Sequence, residues 1–543
     1  MKTATLFGLV MFLIAFDLRI VDPENVGWLV GGADTTNVSA DRAQEYIGWA
    51  FFRDAPWSWP LGRIPNLTEP LGTNLAYYDA IPGVGVAMKV LSPHLSAVFQ
   101  YSGAWLLVCY LLLGLSAYLV VAQVERDEWI RRASALFVVM SPCAMMRGDH
   151  IAHSGHFFIV AALALHVATV KGTVKRPILW GALMSSAALA CNAYLGAMTF
   201  GIVVAGLLVS GAAVRGCVVT AASLLATAVA LGHGGRSYGV GGSHYWAADV
   251  LTFFGSMGRS RFLPPLPTWG GQYEGFAFIG AGGVAIFFVV LAKGRLVLWR
   301  LMQTPRYKAL VAVCVVMFAF ALTYDIRIAS HWVLALDKAY WPFHPYLTSI
   351  FRAAGRFSWP LHYLMMLLLP VAAARVLSKR QAYGVIVVAL LLQIVDQWPI
   401  WQGHRAGYAD ALAVNTSTAS WRPFLINKSR IAMIPPQLHG FDCDGVVYPE
   451  NHWIRITVAA ANAHLPINTG YEARMSEGVA AKHCKSELSA FRDKRLEGTL
   501  YAIDRAWLSR QANPVSEGLE CMSHESYELC STISSSASSP PPG

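Results

Sequence analysis

Long apolar runs separated by short polar links dominate the chain up to about residue 399, and then they stop. A bilayer core about 30 Å thick takes roughly 20 helical residues to cross, so runs near that length predict about eleven transmembrane helices. They fall at 3–20, 97–123, 132–147, 151–170, 177–192, 193–211, 214–232, 274–292, 308–325, 356–377 and 382–399. The first follows Met1 and Lys2 with no small-residue cleavage site behind it, and is expected to stay as a span. The stretch 77–93, "YYDAIPGVGVAMKVLSP", is broken by Pro82, Gly83, Gly85 and Lys89 and reads as re-entrant or interfacial.

Past residue 400 the pattern changes to short β-prone runs, "RIAMIPP", "WIRITVAA" and "TLYAID", around a helix-like stretch near 470–495. Such alternation predicts a small soluble α/β domain over 401–525, long enough for one core. The Ser/Pro-rich end, 526–543, is expected to be disordered. The fold class expected is therefore an α-helical polytopic membrane domain over 1–400, with long loops at 21–96 and 233–273, followed by this α/β domain.

Composition agrees: of 543 residues 55% are hydrophobic and 14% charged, with a mean hydropathy of +0.44. The formal charge of +10 owes much to alternate short loops that carry Arg126, Arg131 and Arg132, then Lys171, Lys175 and Arg176, then Arg215, then Lys293, Arg295, Arg300, Arg306 and Lys308, and last Arg375, Lys379 and Arg380. By the positive-inside rule these loops are cytoplasmic, which puts 21–96, 147–151, 233–273, 326–355 and the tail outside. The basicity is thus a topological signal, and it argues against a nucleic-acid partner. Five cysteines sit singly in apolar runs, whereas Cys443, Cys484, Cys521 and Cys530 share the outside tail. An even set in an oxidising compartment predicts one or two disulfides, with all three pairings open.

Ionisable residues gather at the outer ends of the helices, where they are costly and so mark a substrate path. "GGADTTNVSADRAQEYIGW" brings Asp34 and Asp41 ahead of a segment that suits an amphipathic helix on the outer leaflet, with Trp57 and Trp59 as interfacial anchors. Either acid could instead cap that helix. "MMRGDHIAHSGHF" holds Arg147, His150, His153 and His156; the guanidinium suits phosphate, and the histidines suit a phosphate, a sugar or a metal, although no metal-ligand motif is present. Asn192 and Tyr194 mark another outer turn, where Tyr is at home in any case. The loop over 233–273 and its exit carry Arg259, Arg261, Gln272, Tyr273 and Glu274, and "FRAAGRF" places Arg352 and Arg356 one helical turn apart.

A carboxylate, several arginines and histidines beside lipid meet the needs of one substrate class, a sugar carried on a polyprenyl phosphate. The acceptor hydroxyl must lose a proton as it attacks the anomeric carbon, for which one Asp serves as general base, while Arg stabilises the departing phosphate. No phosphate-binding glycine loop supports a soluble nucleotide donor.

The blocks "DPENVGWLVGGAD", "DRAQEYIGWAFFR", "PWSWPLG", "RGDHIAHSGHF", "RFLPPLPTWGGQYEGFAFIG" and "FRAAGRFSWPLHYL" resemble those of a bacterial membrane-protein family of unknown function that is similar to GT-C glycosyltransferases. The resemblance covers roughly residues 20 to 400. It implies a GT-C-like fold in the bacterial cytoplasmic membrane, an acid in the first extracytoplasmic loop and a polyprenyl-phosphate sugar donor. It further implies a glycan or lipid-linked acceptor in the cell envelope, and no obligatory cofactor, with room for a divalent cation. Matching Asp41, Ala43, Gln44, Tyr46, Gly48 and Trp49 to the family's pattern puts the acid at Asp41. An apparent insertion, "ADTTNVS", and Glu45 in place of a histidine are departures that keep Asp34 as a rival. The readings set against this one are a flippase for a lipid-linked saccharide and a non-catalytic envelope scaffold.

Overall fold

A computed structural model describes residues 1–31, 40–234, 243–336, 350–412, 418–438, 441–446, 448, 452–472, 475–493, 496–511 and 518–532. Two compact units emerge. The first takes in the described residues of Met1–Asn25, Ser96–His233 and Tyr238–Leu412, and the second those of Val26–Leu95, Gly234–Ser237 and Ala413–Gly543.

The first unit is helical, and a helix stands at each of the positions expected from the apolar runs. Among the described residues five helices are long and apolar enough to cross a bilayer: Ser102–Ala122, Ile151–Val170, Ala213–Leu231, Ala354–Val376 and Lys379–Ala411. Lys2–Ala15, Pro177–Cys191, Ala193–Val209, Gly280–Gly294 and Tyr307–Ala321 are apolar but shorter. This is a multi-pass membrane body. The first helix stops at Ala15 rather than at the expected residue 20 because the Asp17 carboxylate accepts from Arg19 N at 2.9 Å and turns the chain into the 3-10 segment Leu18–Val21. The third expected span is cut short in the same way. Its helix, Glu128–Val139, opens on an Asp127 cap and closes before Pro142, where Ser141 caps the short helix Pro142–Met145.

Small residues let the helices approach closely. A Cβ on Gly8 would lie 2.1 Å from Tyr110 O, and one on Gly114 would lie 2.2 Å from Ala4 O, so Lys2–Ala15 and Ser102–Ala122 each offer a glycine to the other's backbone. Without a hydrophobic drive between helices in lipid, such close packing is a main source of association. Asp396, buried inside Lys379–Ala411, fastens the loop after Ser256: its Oδ1 accepts from Ser260 Oγ at 2.5 Å and Arg261 N at 2.9 Å, and its Oδ2 accepts from Ala281 N at 3.2 Å.

In the second unit a four-stranded sheet runs in the order Arg430–Ile434, Thr499–Asp504, Tyr527–Thr532, Leu519–His524, its first pair parallel and the others antiparallel. The parallel pair needs a crossover, and the helices Ile454–Asn462 and Glu477–Asp493 lie in that connection. Ala432, Ile434, Phe491, Tyr501, Ile503 and Trp507 form its core. Of the three open pairings the cysteines take Cys443–Cys484 and Cys521–Cys530.

Residues from the first long loop belong to this body. Ile467 N donates to Asn66 O at 3.0 Å and Glu69 N to Ile467 O at 2.8 Å, and Ile467 in turn bridges Ile431 of the sheet, so the loop adds a short parallel rung. Arg430 pairs with Glu69 at 2.5 Å and Glu487 at 2.8 Å. The helix Ala40–Asp54 packs against Ile454–Asn462 and is buried along nearly its whole length, from Arg42 to Trp49 and again at Phe51 and Phe52. This corrects the expectation of a helix lying on the outer leaflet: Gly48 is so close to its neighbour that a Cβ there would come within 2.7 Å of Tyr78 Cβ. Trp57 and Trp59 are exposed. The stretch expected to be re-entrant also folds here, as the helix Pro82–Leu91, with Lys89 Nζ donating to Phe52 O and Ala55 O at 2.6 Å.

Candidate functional site

In the first unit four short 3-10 turns, each close to the start of a longer element, carry the candidate chemistry. Arg147 lies on Met146–Gly148, His153 on Ile151–Ser154, Glu274 on Gln272–Gly275 and Arg356 on Ala354–Ser358. Glycine permits their approach. A Cβ on Gly275 would lie 2.6 Å from Ala248 Cα, and one on Gly355 would lie 2.7 Å from Trp246 O and 2.8 Å from Gly275 Cα.

Glu274 is the hub. Its Oε2 accepts from Arg147 Nη1 at 2.7 Å and Arg356 Nε at 2.9 Å, and its Oε1 accepts from Arg356 Nη2 at 2.7 Å. Arg147 Nη2 also donates to the carbonyls of Tyr273 and Glu274 at 3.1 Å, and Arg356 Nη1 meets His153 Nε2 at 2.5 Å. His150 Nε2 stands 4.0 Å from Glu274 Oε1. The side chains of Arg147, His153, Glu274 and Arg356 are buried, and the two guanidiniums against one carboxylate leave these four residues one positive charge in excess. Burial by itself would raise the Glu274 carboxyl, but Arg356 and then Arg147 outweigh it and hold that carboxyl well below the usual carboxylate range.

Aromatic rings close around the cations. The Arg356 guanidinium lies 4.6 Å from the centre of the Tyr194 ring and that of Arg147 5.0 Å from Trp359. Tyr194 Oη accepts from Ala353 N at 2.9 Å, and His156 Nδ1 meets Tyr363 Oη at 2.6 Å. Several buried nitrogens here have no hydrogen-bond partner among the described residues: Arg147 Nε, His153 Nδ1, His156 Nε2, Trp359 Nε1 and Gln272 Nε2.

Of the residues expected to bind substrate, the structure thus gathers Arg147, His150, His153, Tyr273, Glu274 and Arg356. Gln272 Oε1 accepts from Trp269 N at 2.7 Å. Arg259 is half-buried within electrostatic reach of Asp149 and Arg147, whereas Arg261 is exposed and Arg352 lies 5.7 Å from the Trp246 ring. Tyr194 stands at the outer turn that the sequence marks in "CNAY", whereas Trp359 and Tyr363 escaped the sequence reading; the sign of them was their placement beside the Arg block, in "RFSWPLHY". Of the two candidate acids, Asp41 is half-buried in the first turn of Ala40–Asp54, in the second unit, and Asp34 lies outside the described residues. Among the described residues no three His, Cys, Asp or Glu side chains are grouped to hold a metal ion.

A multi-pass helical membrane protein with a buried arginine-rich centre and a disulfide-bonded α/β unit is the class these features define. The chain belongs to the family described as Domain of unknown function (DUF6311), matched over residues 5–398, and residues 420–532 match the DUF6311 C-terminal domain. A solved structure similar to it is the crystal structure of the Archaeoglobus fulgidus oligosaccharyltransferase in the apo form, at 12% identity and a TM-score of 0.40. That match covers 86% of this chain, which spans 64% of the length of that one. No curated protein matches.

Proposed function

We propose that the protein is a membrane glycosyltransferase that moves a sugar from a polyprenyl-phosphate donor to a cell-envelope glycan on the extracytoplasmic face of a bacterial cytoplasmic membrane. The observation that carries this reading is the buried Arg147–Glu274–Arg356 group, two guanidiniums to one carboxylate, ringed by nitrogens of Arg147, His153, His156 and Trp359 that have no hydrogen-bond partner among the described residues. A buried cation in an apolar helical body is costly unless it meets an anion, and a guanidinium is well shaped for phosphate. Glu274 orients both arginines, and the net charge left over attracts the donor's phosphate.

In the proposed reaction Asp41 takes the proton from the acceptor hydroxyl, whose oxygen attacks the anomeric carbon. The bond from that carbon to the phosphate oxygen breaks, and the polyprenyl phosphate leaves with the electron pair. Support for Asp41 is its place in the sequence block. The reading assigns no cofactor, and activity in excess chelator decides whether a divalent ion takes part.

The test compares envelope glycans by mass spectrometry in cells carrying the wild-type protein, Asp41→Asn or Arg147→Met. Loss of one sugar unit is expected in both variants, with Asp41→Asn reducing transfer by about 100-fold or more, as for removal of a general base. An unchanged product from folded, membrane-inserted Asp41→Asn protein would remove Asp41 from the mechanism, and a glycan profile that does not change when the whole gene is deleted would end the reading.

A further inference from the structure

The apolar helix Tyr307–Ala321 is followed within a few residues by an antiparallel hairpin of Asp325–Ile328 and His331–Ala335. Ile328 pairs with His331, which leaves Ala329 and Ser330 as the turn, at φ of 48° and 65°. Two positive φ values are what a tight hairpin turn requires, yet neither residue is the Gly or Asn that adopts them freely. The buried Asp249 carboxylate offsets this by accepting from Ala329 N at 3.2 Å and Ser330 N at 3.3 Å. Behind the turn Val250 N donates to Arg327 O at 3.0 Å, and the Arg327 guanidinium lies 3.8 Å from the centre of the Trp269 ring. The hairpin therefore has a fixed shape.

What it displays is apolar on both sides. Trp332 is 65% exposed, Val333 57%, Leu334 50% and Ile328 38%. Successive strand residues point to opposite faces, so Trp332 and Leu334 stand on one face and Val333 on the other. An antiparallel strand bordering water keeps its apolar face inward and its polar face outward; this one has apolar side chains exposed on both. The adjoining helix presents the same character laterally, with Val315 49% and Val316 66% exposed. The link from Ala321 to Asp325 can reach at most about 14 Å, so the hairpin stands close to the end of this apolar helix.

We propose that the hairpin at 325–335 is a membrane-interface anchor, whose Trp332, Val333 and Leu334 sit among lipid headgroups and the upper acyl chains. Trp favours that zone because its ring is apolar and its N–H is not. Asp249 and Trp269 act as the posts that hold the strand at a set angle to the lipid. This assignment is independent of the sugar-transfer reading.

The full chain in nanodiscs tests it. An environment-sensitive fluorophore is placed at Val333→Cys in a Cys217→Ser background, since Cys217 is partly exposed, and a second one is placed at the exposed Ile426→Cys as a reference. Lipids brominated just below the headgroup are expected to quench the label at 333 at least about twofold more than the label at 426. Equal quenching overturns the proposal. So does a label at 333 that brominated lipid leaves alone and that becomes shielded as protein concentration rises, because a second copy would then cover the strand. Asp249→Ala, with helical circular dichroism retained, is expected to reduce the quenching at 333; no change would overturn the role given to that carboxylate.

Discussion

At the scale of single residues the centre of the first unit is a carboxylate holding two guanidiniums. Replacing it by an amide, Glu274→Gln, leaves both buried cations without their counter-charge and is expected to cost about 3–5 kcal/mol, read as a large fall in melting temperature in detergent. Because the folded carboxyl is held below its ordinary value, its ionisation contributes stability at pH values above the unfolded pKa of about 4.3 and loses it as pH falls through the folded value. The wild type is therefore expected to lose stability more steeply than Glu274→Gln as the pH is lowered from about 5 to 3, and parallel curves would contradict the charge assignment. Much of this group was legible in the sequence, since Arg147, Arg356 and Glu274 are charges set where charge is expensive. That Glu274 serves the arginines rather than facing a substrate alone was not legible, because the three come together only through turns far apart in the chain. Asp396 carried the same signal, a lone acid in an apolar run, and the structure gives it a loop and a helix N-terminus to hold.

At the scale of elements, the turns that bear this chemistry depend on bare backbone. Gly275→Ala would drive a methyl group to within 2.6 Å of Ala248 Cα, with no flexible side chain there to yield. It is expected to destabilise the protein by roughly 1–3 kcal/mol and to displace Glu274, whereas Gly384→Ala on the helix Lys379–Leu412, where a Cβ meets nothing within 4 Å, is expected to be neutral. Melting curves of the two variants side by side check this. Periodicity located the helices well but overran their ends at Asp17 and Pro142, where caps and proline decide, and it assigned Ala40–Asp54 to a membrane surface. Gln44 and Glu45 are buried in that helix, and no hydropathy pattern marks a buried polar residue whose partners lie elsewhere: the Gln44 amide donates to Tyr77 O at 2.9 Å.

At the scale of the whole molecule, the described parts of Val26–Leu95 and of the chain after Ala413 make one compact unit, so both must lie on the same side of any membrane the chain crosses. The helices between them then cross an even number of times, a condition that the spans expected from the sequence satisfy. The disulfides belong to this unit. Opening Cys443–Cys484, whose partners are 41 residues apart, is expected to cost about 4 kcal/mol, and opening Cys521–Cys530, 9 apart, about 3 kcal/mol, by loop entropy. Protease resistance of the two double-serine variants gives the order. The short rung that Asn66 and Glu69 share with Ile467 also sets a timetable for synthesis. A ribosome adding roughly 5–20 residues per second makes Asn66 and Glu69 on the order of 20–80 s before Ile467 exists. Through that interval the helix Ala40–Asp54, which packs against Ile454–Asn462 in the finished protein, has yet to meet that partner, while the helices between are being inserted.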